Sequence, residues 1–152
     1  MAKFNFRLQG YLNVKEKLEG QRKMEYGQML QALEKEKANL FMLESEKAQC
    51  LGLFKLTISS GKKGLDPEEM KRYNSYLSRI AAMINRQSAK VAEAESSAEK
   101  KRLELLEAMK ERKMLDTLKD KARAVYNRQE LLDEQKAADE IVSSRFKKNA
   151  RL

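Results

Sequence analysis

The sequence predicts an all-α fold: an antiparallel two-helix coiled-coil hairpin whose second helix is longer and overhangs at its C-terminal end. Three observations carry this. Ala, Glu, Lys, Leu and Arg dominate a chain that is 36% charged and only 7% aromatic, the mixture of long helices and coiled coils. Leucines and methionines recur at helical spacing, which a disordered chain of similar polarity has no reason to show. The only proline falls in one short break, Ser59-Ser60-Gly61-Lys62-Lys63-Gly64-Leu65-Asp66-Pro67, with two of the six glycines. At 152 residues the chain reads as one domain. Its expected parts are a helix over about 4–58, a turn at 59–66, a helix over about 67–142 and a basic tail at 143–152.

The first helix holds glycines at 10, 20, 27 and 52 but no proline. From Tyr26 an alternation of four and three passes through Leu30, Leu33, Leu40, Leu51, Phe54 and Ile58, with Lys37, Glu44 and Lys47 as polar interruptions. Carrying the stripe back to Leu18, Leu12, Tyr11, Leu8 and Phe4 requires a phase shift between Gly20 and Gly27. Each interior glycine costs about 0.5–1 kcal/mol against alanine, so a soft or bent stretch is expected there.

At the break, Asp66 suits an N-cap and Pro67 the first helical position, where its missing N–H does no harm. Glu69 stands where a capping box places its carboxylate. Steps of three and four from Met70 then give Tyr73, Leu77, Ile80, Ile84, Gln87, Val91, Ala94, Ala98, Lys101, Leu105, Ala108, Arg112, Leu115, Lys119, Ala122 and Tyr126. Thirteen of these seventeen positions are apolar, which decides for a heptad seam. Folding the hairpin about residue 62 or 63 sets position i opposite about 125 − i. Phe4 then faces about Lys121, and the stretch from Arg123 onward has no partner in the chain. That overhang carries Leu131, Leu132, Ile141, Val142 and Phe146, and ends in Arg145, Lys147, Lys148 and Arg151.

Catalysis finds little support. Histidine is absent and Cys50 is the single cysteine, so the commonest acid-base group and a thiolate metal site are both missing. Gly61-Lys62-Lys63-Gly64 is too short for a phosphate loop. The many Glu–Lys spacings, such as Glu107 and Glu111 near Lys110 and Lys113, read as a solvated helix face with ion pairs. Cys50 reads as a seam or near-seam residue. No cofactor is expected. The net charge of +9 and pI of 9.6 raise anionic partners, but the cations are dispersed among carboxylates, without an aromatic platform or groove-reading motif. Nucleic acid is therefore not an expected partner. No apolar run approaches a membrane span, the first residues do not resemble a signal peptide, and a lone cysteine fits a reducing compartment. A cytoplasmic location is the expectation.

Beside the turn, apolar groups exceed what a narrow two-stranded seam covers. Phe54, Tyr73, Tyr76, Ile80, Met83 and Gln87 lie there, with Tyr76, Ile80, Met83 and Gln87 at i, i+4, i+7 and i+11. Two readings stay open: a locally thick coil, or a partner-binding patch.

The opening Met1-Ala2-Lys3-Phe4-Asn5-Phe6-Arg7-Leu8-Gln9, followed by Leu12-Asn13-Val14-Lys15-Glu16, resembles the start of the FliJ family. So do Tyr73-Asn74-Ser75-Tyr76-Leu77 and Glu134-Gln135-Lys136-Ala137-Ala138-Asp139-Glu140. The likeness spans nearly the whole chain. It implies a coiled-coil stalk of the flagellar type III export apparatus and no enzymatic activity of its own. The implied partners are the hexameric export ATPase, the export gate protein and export chaperones. The implied location is cytoplasmic, at the cytoplasmic face of the inner membrane through those partners only. By the resemblance, Phe4, Phe6, Arg7, Leu8, Tyr11, Arg123, Tyr126 and Arg128 meet the ATPase ring. Phe54, Tyr73, Tyr76, Ile80, Met83 and Gln87 meet the gate, although Met83 and Gln87 depart from the family's residue types there. The competing readings are a basic coiled-coil tether for nucleic acid and a secretion chaperone without an ATPase role.

Overall fold

Two helices, α1 (Gln9–Ser59) and α2 (Pro67–Ala150), account for almost all of the chain. The structure, a computed structural model, describes residues 2–59 and 66–151; the predicted turn lies mostly outside them, at 60–65. Each helix contributes to two compact units: Met1–Gly20 with Leu106–Leu152, and Gln21–Leu105. Within each unit the two helices pack antiparallel. Lys15 meets Glu111 in the first, and Arg22 meets Glu104 and Lys101 meets Glu25 in the second. The numbers in each of these pairs total 126, one more than the register predicted for the hairpin.

α2 starts where its sequence says it must. The Asp66 carbonyl accepts the Met70 N–H at 3.1 Å, the first helical bond, which places Pro67 at the first helical position. Glu68 and Glu69 occupy the first turn and Lys147 and Lys148 the last, each sign opposing the partial charge of its helix end. The helix runs on through Ala150, so the predicted tail at 143–152 is helical as far as that residue. Of the seventeen predicted seam positions on α2, all but Met70 are buried or half-buried.

α1 obeys a stricter heptad than its apolar residues reveal. Leu12, Lys15, Glu19, Arg22, Tyr26, Met29, Leu33, Glu36, Leu40, Leu43, Lys47, Cys50 and Phe54 all turn inward, in unbroken steps of three and four. This corrects the predicted register in one of its two strands. Tyr26, Leu33, Leu40, Lys47 and Phe54 are shared, but Met29, Glu36, Leu43 and Cys50 replace Leu30, Lys37, Glu44 and Leu51. Leu30, Leu51 and Ile58 are exposed. No phase shift occurs at Gly20 or Gly27, because charged side chains, not apolar ones, hold the inward positions on the N-terminal side. An added Cβ at Gly20 or Gly27 meets nothing within 4 Å. Gly20→Ala and Gly27→Ala are each expected to stabilise the helix by about 0.5–1 kcal/mol, read as a higher midpoint in a far-ultraviolet melt.

The N-terminal arm departs from expectation. α1 begins at Gln9 rather than near residue 4, and the stretch from Ala2 to Leu8 is non-helical. Non-helical chain advances up to about 3.3–3.6 Å per residue against 1.5 Å in a helix, so the arm reaches further along α2. Phe4 therefore packs against Tyr126, not against Lys121. The uncovered part of α2 accordingly starts later than predicted: every residue from Leu131 through Ala150 is exposed.

Candidate interaction surfaces

In the unit that holds the termini, a small core is built from Phe6, Leu12 and Leu115, flanked by Phe4 and Ala122. Leu12 is the most deeply buried, at 1% exposure. Phe4 is held on two sides: its ring centroid lies 5.5 Å from that of Tyr126, and the Arg123 guanidinium stands 5.3 Å above it. The Tyr126 hydroxyl reaches both the Ala2 carbonyl and Glu130 Oε1, the latter at 2.8 Å. Its single proton serves one acceptor at a time, and the bond to Glu130 raises its pKa.

Four of the predicted ring-contact residues, Phe4, Phe6, Arg123 and Tyr126, thus fasten the N-terminal arm to α2 within the chain. Arg7, Leu8, Tyr11 and Arg128 are exposed. Lys15 lies over the Tyr11 ring and pairs with Glu111 at 2.7 Å, a bond that raises its pKa. Arg112 sits between Glu19 and Asp116. Such pairs are worth little individually in water; here they let charged residues occupy inward heptad positions without stranding a charge.

In the other unit the predicted gate-contact residues divide. Ile80 and Gln87 are buried at 2% and 8% exposure, whereas Tyr76 and Met83 are 43% and 44% exposed. The i, i+4, i+7, i+11 spacing does not make one surface stripe, because Ile80 and Gln87 are also seam positions. Gln87 Nε2 donates to the Glu36 carbonyl at 2.9 Å and to the Glu36 carboxylate. Phe54 and Tyr73 pack edge to face with centroids 5.1 Å apart. Beside them a groove of about 610 Å³ is lined by Cys50, Leu53, Arg72, Tyr73 and Tyr76, among others. Leu53 belongs to the apolar excess that the sequence places beside the turn; sequence reasoning missed Arg72 as part of this surface. Further from the groove, hydrogen bonds from Arg22 and then Lys101 lower the Glu25 carboxyl pKa.

The family model described as the flagellar FliJ protein matches residues 4–151. The chain belongs to the FliJ family. It is accordingly a component of the flagellar protein export apparatus, and FliJ proteins are non-catalytic parts of that apparatus. No curated protein and no solved structure matches the chain. Among the described residues of this FliJ-family member, no helix is long and apolar enough to cross a membrane, and no cluster of His, Cys, Asp and Glu could hold a metal ion.

Proposed function

We propose that this FliJ-family chain acts as a stalk and adaptor between the hexameric export ATPase and the export gate, and escorts export chaperones. It works at the cytoplasmic face of the inner membrane, held there by its partners. The observation that carries this reading is the stretch from Leu131 to Ala150, a helix exposed along its whole length that nevertheless presents Leu131, Leu132, Ile141, Val142 and Phe146. An uncovered helix of this length is marginal in water, and apolar groups on it favour a partner. Arg7, Leu8, Tyr11 and Arg128 are the exposed residues beside it that the ring would meet. On the gate side, Tyr76 and Met83 offer the accessible contacts, Tyr76 in the groove beside Tyr73 and Met83 seven residues further along α2.

The test is a pull-down with two arms. Removing residues 131–152 is expected to abolish binding to the export ATPase and leave gate binding intact. Tyr76→Ala with Met83→Ala is expected to do the reverse, with helicity unchanged in both. ATPase binding that survives the truncation would sink the proposed orientation.

A further inference from the structure

The exposed end of α2 has a second property, independent of any ATPase. On a helical projection of about 100° per residue, Leu131, Leu132, Val142 and Phe146 fall within one arc of roughly 100°. Leu115, Lys119, Ala122 and Tyr126, the inward positions of α2 in the same unit, project to nearly the opposite side. The apolar stripe is therefore turned away from the face that the N-terminal arm covers, and that arm's groove cannot simply extend to cover it.

The charge along this segment is split in two. Residues 129–140 hold Glu130, Asp133, Glu134, Asp139 and Glu140 against Lys136 alone, a net of −4. Residues 141–151 hold Arg145, Lys147, Lys148 and Arg151 with no carboxylate, a net of +4. We propose that this segment is a self-complementary interface through which two copies of the chain pair antiparallel. Only in that direction do Glu130, Asp133 and Glu134 of each copy come opposite the stretch of the other that carries Arg145 and Lys147, twice over. A parallel pair would set −4 against −4 and +4 against +4.

With the pair centred near Ala138, Leu131 and Leu132 of one copy come level with residues 144–145 of its partner, between Val142 and Phe146. Lys136 comes level with the partner's Glu140, which relieves the centre. The arrangement is isologous, the same patch meeting itself about a two-fold axis, and the helix dipoles oppose favourably. The paired length, about 22 Å over residues 131–145 at 1.5 Å per residue, makes the interface small, so the dimer is weak and reversible. Because it covers the apolar side chains that the proposed ATPase contact uses, self-pairing and that contact exclude one another.

The test uses the full chain alone, in sedimentation velocity across about 1–200 µM protein at about 50 and 500 mM salt. The expected result is a concentration-dependent dimer at low salt, weakened about tenfold or more at high salt. Lys147→Glu with Lys148→Glu reduces the basic half to zero net charge, and Asp133→Lys with Glu134→Lys does the same to the acidic half. Each variant alone is expected to be monomeric, while an equimolar mixture of the two re-forms a dimer, since an intact acidic stretch again meets an intact basic one. Phe146→Ala is expected to weaken the wild-type dimer with no loss of helicity. A monomer at every concentration and salt overturns the proposal. So does a dimer that survives removal of residues 131–152, or a mixture that dimerises no better than its components.

Discussion

Leu12→Ala is expected to destabilise the unit that holds the termini by about 2–4 kcal/mol. Leu12 is 1% exposed and is the only large side chain among the described residues buried to that degree. It supports Phe6 and Leu115 directly, and through that core the flanking Phe4 and Ala122. A two-helix pair has no second layer that could move in to fill the space, so the loss of side-chain volume persists as lost contact. The damage should reach the N-terminal arm, whose hold on α2 depends on Phe6 in the core and Phe4 beside Tyr126. Faster trypsin cleavage after Lys3 and Arg7 is therefore expected alongside a lower urea midpoint. Leu103→Ala serves as control: Leu103 is 54% exposed, and its truncation should stay within about 0.5 kcal/mol. If the two substitutions cost the same, the Phe6–Leu12–Leu115 core does not hold the arm.

What the sequence disclosed follows from which residue types occupy the inward positions. On α2 those positions are mostly apolar, and counting steps of three and four from Met70 found them. On α1 the inward positions include Lys15, Glu19, Arg22, Glu36 and Lys47, several of them neutralised by partners on α2. The predicted trace from Tyr26 slides by one residue where Met29, Glu36, Leu43 and Cys50 hold the inward positions, to Leu30, Lys37, Glu44 and Leu51. The arm was misread for a different reason. Phe4 and Phe6 both turn inward two residues apart, a spacing that suits extended chain and that one face of a helix cannot provide. Reading Phe4 and Leu8 as an i, i+4 pair hid that alternation. At the gate side the spacing of Tyr76, Ile80, Met83 and Gln87 was visible, but a four-residue stripe and a heptad seam overlap on a helix. Burial alone separates Ile80 and Gln87 from Tyr76 and Met83. The overhang was legible because it depends on unequal arm lengths, which survive an error in either register.

Replacing Gln87 and Glu36 together by leucine is expected to stabilise the helical pair by about 2 kcal/mol and to loosen its register. Gln87 is 8% exposed, and it joins α2 to α1 by donating to both the carbonyl and the carboxylate of Glu36. Between ladders of apolar residues such a bond can form in one alignment only. A slip of one heptad would bury the Gln87 amide and the Glu36 carboxylate without partners, at a cost of about 1–3 kcal/mol for each group. Two leucines are satisfied in any alignment, so the variant gains burial while the penalty on misalignment disappears. Gln87→Leu alone should instead lower stability, by about 1 kcal/mol, because the Glu36 carboxylate loses its donor in a half-buried site. The double-mutant cycle therefore carries a coupling of opposite sign to the single change, measurable by urea titration. Register is read separately, from ring-to-ring nuclear Overhauser contacts between Phe54 and Tyr73, whose centroids lie 5.1 Å apart in the native pairing. In the double variant those contacts should weaken or split even as the melting temperature rises. A variant that is more stable and keeps a single sharp Phe54–Tyr73 contact would show that the apolar seam sets the alignment by itself, leaving Gln87 no part in it.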